Sequence, residues 1–169
     1  MRLAILGTNH RHQIVGCPEG DSVAFQSCLA ALVQSGGYDA IAEELSEESI
    51  VLWKGSDSTA RLVANSFGIQ HLYCDPTTAE RSMLSIPSNQ QIRDLLKVGA
   101  VMNHEQTARF DAEQKKHWPV REDFWFQRLK ALGANHTLLV LGTDHVESFS
   151  ALLNREAVSF VCLHERWEP

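Results

Sequence analysis

Short, fully apolar runs alternate along the chain with longer stretches in which apolar residues return every three or four positions. Residues 2–8, RLAILGT, form the first such run. An unbroken apolar centre closed by a glycine is the pattern of a strand buried on both faces. From Asp21, a side chain suited to capping a helix, Val23, Phe25, Cys28, Leu29 and Leu32 supply a helical apolar side that Gly36-Gly37 terminates. Residues 38–45, YDAIAEEL, read as a short strand ending in two carboxylates. A second helix opens near residues 56–58, carries Ala60, Leu62, Val63 and Phe67, and stops at Gly68. Residues 69–74 give a third strand, closed by Asp75-Pro76 because proline cannot continue a ladder. The stretch 76–118 is less decided. Pro87-Ser88 opens a helix through Ile92, Leu95 and Leu96, whereas 104–117 is polar and weakly periodic. Pro119 starts a further helix with Phe124, Trp125, Leu129 and Leu132 on its apolar side and Gly133 as its stop. A strand over 136–143, HTLLVLGT, a helix over 145–154 and a strand over 158–163 complete the chain.

Strand–helix alternation with continuously apolar strands predicts α/β architecture: a mostly parallel central sheet with helices on both faces, three layers α/β/α. The expectation is one α/β domain over residues 1–169, since this length fills one core and no linker or low-complexity tract interrupts it.

Composition narrows the class without naming an activity. Lys and Arg number 15 against 21 Asp and Glu, a formal net charge of -6, with no block of like charge. Nucleic-acid surfaces need clustered Lys and Arg, so nucleic acid is not an expected partner. No run of about 18 apolar residues is present, which argues against a membrane partner, and the first residues lack the features of a signal peptide. The four cysteines are scattered, with no C-x-x-C pair, and Cys28 and Cys162 sit in apolar runs as small core residues would. A cytoplasmic location follows as the expectation.

The chemistry gathers where strands end. Ligands of open α/β sheets bind beyond the carboxyl ends of the strands. Four predicted strands end in polar residues: Gly7-Thr8-Asn9-His10, Glu43-Glu44, Asp75, and Gly142-Thr143-Asp144-His145. In a parallel sheet all four emerge at one edge. Imidazole and carboxylate are ligands of catalytic divalent metals, which lower the pKa of bound water. His10, Glu44 and His145 form a three-ligand set for such an ion, with Glu43, Asp75 or Glu122 as base or further ligand. Adjacent strand residues face opposite sides, so only one of Glu43 and Glu44 enters a common site, and Glu44 lies nearer the strand end. Each glycine of the two Gly-Thr-x-His units is expected to let the backbone turn sharply and to free space for a ligand. Arg121 and Arg128, seven apart on the helix that carries Trp125, share a face that would suit an anion. His12 is a third imidazole near the first unit. No G-x-G-x-x-G, Walker or G-x-S-x-G sequence occurs.

At these residues the chain resembles the TraB/Tiki and ChaN/erythromycin-esterase-like superfamily. The resemblance lies in the paired G-x-x-H segments (Gly7 to His10, Gly142 to His145), the strand ending Glu43-Glu44-Leu45, and the helix with Arg121-Glu122, in that order. It implies an α/β fold whose two histidines and glutamates line one cleft; members include metal-dependent proteases, esterases and haem-binding proteins. The expected function is a small metal-dependent hydrolase. A divalent ion would sit on His10, Glu44 and His145, Glu122 or Glu43 would act as general base, and Arg121 would stabilise negative charge. The alternative is a binding protein that holds a small anion, metabolite or haem in the same cleft without turnover.

Overall fold

The computed structural model describes residues 1–169. Five parallel strands make the central sheet: Arg2–Thr8 (β1), Ala40–Glu43 (β3), Gln70–Tyr73 (β5), His136–Gly142 (β6) and Ser159–Trp167 (β7), in the order β5-β3-β6-β1-β7. Ile14–Val15 (β2) and Asp57–Ser58 (β4) pair antiparallel beside it. β1 and β6 run in full register from Arg2 opposite His136 to Thr8 opposite Gly142. These two central strands carry the longest apolar runs, and Leu3 to Leu6 and Leu138 to Leu141 are almost completely buried.

Helices cover both faces, as the strand composition requires. Ser22–Gly36 (α2) and Thr59–Phe67 (α4) pack Phe25, Leu29, Val33, Ala60 and Val63 against Ala4, Leu6, Ile41, Leu138 and Val140. Trp118–Leu132 (α8) and Val146–Arg155 (α9) place Trp125, Phe126, Leu129, Phe149 and Leu153 on Leu3, Ile5, Leu139 and Leu141. Alternation along each strand sorts these side chains into two cores. Asp21 caps α2 by accepting from the Ala24 N–H, and Gly37 ends it at φ 62°, in the left-handed region that glycine enters without strain.

The connections define a crevice. β1 leads into α2 on one face, while its neighbour β6 leads into α9 on the other; β3, on the far side of β6, leads into α4 on the α2 face. The chain ends of β1, β3 and β6 therefore part around β6, the kind of switch point where open sheets bind ligands. The single turn His10–Gln13 (α1), the helix Glu47–Leu52 (α3), and the segment Thr78–Met83 (α5), Asn89–Leu96 (α6) and His104–Lys115 (α7) complete the fold.

Several expectations are corrected in detail. The strand expected over 38–45 is confined to Ala40–Glu43, because Ser46 caps α3 immediately afterwards. The polar stretch from His104 is a helix. Asn103 and Gln106 close a capping box at its start, and Phe110 is its one buried side chain. Cys162 is exposed on the edge strand and Cys28 is partly exposed; Cys17 and Cys74 are the buried thiols, and all four are free. No helix is long and apolar enough to cross a membrane.

Candidate functional site

Three strand ends and one helix converge on a cleft of about 450 Å³. Asn9 follows β1 and caps α1 by accepting from the Arg11 N–H, which turns His10 toward β6. Glu44 follows β3, and a single 3-10 turn after β6 delivers His145. The carboxylate of Glu44 is 1 % exposed. Its Oε2 accepts the Gly142 N–H at 2.7 Å, and its Oε1 receives Arg121 Nη2 at 2.9 Å. That same Oε1 lies 3.6 Å from Nε2 of both His10 and His145. Burial pushes the Glu44 carboxyl up, but Arg121 foremost and then the two imidazoles outweigh it and hold it far below the usual carboxylate range. For His10, burial pushes the imidazole down and Glu44 pushes it up further, so its net displacement is upward.

Behind this row stands a second one. Asp75, after β5, accepts Arg121 Nε at 2.6 Å and the Trp125 indole N–H at 3.2 Å through Oδ1, and Arg81 from α5 at 2.6 Å through Oδ2. Arg121 is thus clamped between Asp75 and Glu44, with Nη1 3.3 Å from His145 Nε2. Glu122, one residue on, points away from the cleft: its Oε1 lies 2.7 Å from His145 Nδ1 and accepts Ser148 Oγ at 2.5 Å. The His145 ring is boxed by Trp118 and Trp125, with ring centres 4.3 and 4.9 Å away.

The two motif glycines are required for space. A Cβ on Gly142 would stand 2.8 Å from His10 Nε2 and 3.1 Å from Glu44 Oε2; one on Gly7 would collide with the Glu165 carbonyl and the Val146 side chain. Gly142 itself has φ -60°, open to any residue, so the sharp turn expected there is not its reason. Gly142→Ala is expected to push His10 and Glu44 apart with little change in the rest of the fold. The check is weakened binding or turnover of any cleft ligand with an almost unaltered near-ultraviolet circular dichroism spectrum.

The expected residues therefore divide. His10, Glu44, His145 and Arg121 share the cleft. Glu122 sits behind His145, where it can orient the ring but not reach a ligand directly. Glu43 lies on the α2/α4 side of the sheet, fully buried, bonded to Ser58 and to His71 Nε2 at 2.7 Å. The period-two alternation of β3 puts it on the face opposite Glu44, so its expected role as a base in the cleft is corrected. His12 is tied to the Asp21 N–H at 2.9 Å and packs on Trp167, outside the cleft. Arg128 pairs with Glu80 at 3.5 Å and shares no ligand position with Arg121. Sequence reading missed Gln13, whose Nε2 lies 3.2 Å from His10 Nδ1, as well as Arg81 and Trp118, which line the cleft. The spacing of Gln13, three residues after His10 on one turn, was the available signal for it.

As arranged, the donors do not fit a divalent ion. No group of three His, Cys, Asp or Glu side chains is disposed to hold one. Bonds of about 2.0–2.1 Å around a tetrahedral ion set neighbouring ligand atoms roughly 3.4 Å apart. The 3.6 Å spacings come near that, but Glu44 Oε1 is already held by a guanidinium. A metal there would need Arg121 to leave. Comparison with protein-family models, with curated proteins and with solved structures found no match.

Proposed function

We propose that the cleft is a small hydrolytic site acting on a carboxylic ester or amide, with His145 as general base. The Glu122–His145 contact carries this reading. A buried carboxylate on Nδ1 fixes the ring and stabilises the imidazolium that forms when Nε2, at the cleft, takes a proton from water. Arg121 and His10 stand beside that nitrogen, where negative charge on a carbonyl oxygen would develop. Phosphoryl substrates suit the cleft less well, because Arg121 is committed to two carboxylates and Arg81 to one, leaving no free bidentate fork for a phosphate dianion. Leu45, Trp53, Ile86, Ile92 and Trp118 are the apolar minority of a mostly polar wall, which favours a small polar substrate over one with a large apolar body.

The test is a turnover screen of chromogenic carboxylic esters, anilides and phosphate esters. It compares the native protein with the His10→Ala/His145→Ala double variant, before and after exhaustive chelation. The expected result is turnover of carboxylic substrates alone, unaffected by chelation and absent from the double variant. Turnover that stops on chelation and returns with manganese, cobalt or zinc would instead establish a metal-dependent hydrolase in which Glu44 exchanges Arg121 for the ion. Saturable ligand binding with no turnover of any class would establish the non-catalytic binding protein.

A further inference from the structure

The hydrogen-bonding partners of the two cleft histidines differ in kind. Glu122 Oε1, at 2.7 Å from His145 Nδ1, can only accept, so the proton of the neutral ring resides on Nδ1 and the lone pair is at Nε2. Arg121 Nη1, which can only donate, faces that Nε2 at 3.3 Å and agrees with it. Around His10 the order is reversed. Gln13 Nε2, an amide donor, faces Nδ1 at 3.2 Å, which leaves the proton on Nε2. That Nε2 lies 3.6 Å from the anionic Glu44 Oε1, the same separation at which His145 Nε2 stands from it, so Glu44 does not distinguish the two rings. The difference between them rests on their Nδ1 partners and on Arg121. Gln13 is completely buried and its Oε1 has no partner, so the contact with His10 is its one side-chain hydrogen bond. A buried, half-satisfied amide is costly to keep, and the fold retains it against His10.

We infer that the cleft holds its two imidazoles in opposite tautomers, His145 presenting a lone pair and His10 presenting an N–H, and that Gln13 is the positioning residue that sets His10. Resting on the hydrolytic reading, this assigns the base and an oxyanion donor. The oxygen of water bonds to the carbonyl carbon while its proton passes to His145 Nε2, and the Nε2–H of His10 donates a hydrogen bond to the carbonyl oxygen as charge develops there. The bond from that carbon to the leaving oxygen or nitrogen then breaks, and the leaving atom takes the proton held by the His145 imidazolium. Products are the acid and the alcohol or amine. His145 is neutral again, His10 has kept its proton throughout, and the two tautomers are restored. No tautomer change is needed before the first proton moves, but the attacking water must displace Arg121 Nη1 from the His145 Nε2 lone pair.

Long-range 1H–15N correlation of the imidazole nitrogens tests the inference without any substrate. Spectra are recorded at alkaline pH, where both rings are neutral, and assigned by comparison with the two single alanine variants. The native protein is expected to show His10 protonated on Nε2 and His145 on Nδ1. In Gln13→Glu, which can only accept, the His10 proton is expected to move to Nδ1. In Gln13→Met, which offers neither donor nor acceptor of strength, His10 is expected to populate both forms. His145 is expected to be unchanged in both variants. The Gln13→Met arm stands should Gln13→Glu fail to fold. The same tautomer on both native histidines, or a His10 indifferent to residue 13, would overturn the inference. Because these readouts precede turnover, absence of hydrolysis alongside opposite tautomers would sink the proposed function and leave the tautomer assignment standing.

Discussion

Replacing Arg121 by methionine is expected to destabilise the fold by about 3–5 kcal/mol, the usual consequence of stranding a buried charge. Two buried carboxylates lose a guanidinium at once: Glu44, 1 % exposed, which keeps the Gly142 N–H but no fixed cation, and Asp75, 7 % exposed, which keeps Arg81 and the Trp125 indole. The guanidinium also lies over the Trp125 ring, 4.9 Å from its centre, so packing is lost along with charge. The pH dependence separates the two losses. In the native protein the Glu44 carboxyl titrates far below its ordinary value, so its stabilisation is complete above about pH 4.3 and declines as the pH falls further. In Arg121→Met the main force lowering that pKa is absent, and burial favours the protonated acid. The destabilisation should accordingly be largest at neutral pH and smaller near pH 4. Urea denaturation midpoints of both proteins across that range measure it. A pH-independent difference would assign the effect to packing alone.

Glu122→Gln is expected to leave the fold nearly intact and to lower kcat for the hydrolysed substrate by about 10²–10⁴-fold. The substitution keeps the shape of the side chain and its acceptor oxygen. It removes the charge that stabilises an imidazolium on His145, and its amide can donate to Nδ1 and so favour the wrong tautomer. Since Glu122 lies behind the ring and outside the cleft, KM should change little. A rise in KM with unchanged kcat would mean that Glu122 shapes the binding surface and not the base. Stopped assays at several substrate concentrations, beside a thermal melt of the variant, distinguish these outcomes.

Much of the architecture was legible because burial alone determines it. The runs in β1 and β6 are buried on both faces, and such runs have few other interpretations. The helices marked by an apolar side and a terminal glycine, α2, α4 and α8, were found near their bounds. α3, α5 and α7 escaped because each buries at most one side chain and lacks the opening Pro-Ser and spaced apolar residues that marked α6, which itself buries only Ile92. Their capping boxes at Ser46, Thr77 and Asn103 were the remaining signal. In the site, His10, Glu44 and His145 were found because strand ends converge whatever their tertiary partners. Arg121 and Glu122 were found as a pair, but one residue is about 100° on a helix. That rotation sends one into the cleft and the other behind His145, and only the approach of α9 decides which is which. Gln13 and Arg81 depend on such approaches entirely: Gln13 looks like any buried amide until its partner is seen to be His10.

The order in which the sheet is assembled has its own outcome during synthesis. β1 leaves the ribosome well before either of its ladder partners, β6 and β7. At translation rates of about 5–20 residues per second, Leu3 and Ile5 wait on the order of ten seconds before His136–Gly142 exists to pair with them. The first half of the chain can bring β3, β5, α2 and α4 together, but with an empty lane where β6 belongs. Insertion of β6 between β3 and β1 is thus the late, non-local step that closes the sheet and places His145 beside His10. Folding should be slow for a chain of this size, and a nascent chain stalled before that strand would show apolar edges to any holdase that binds them.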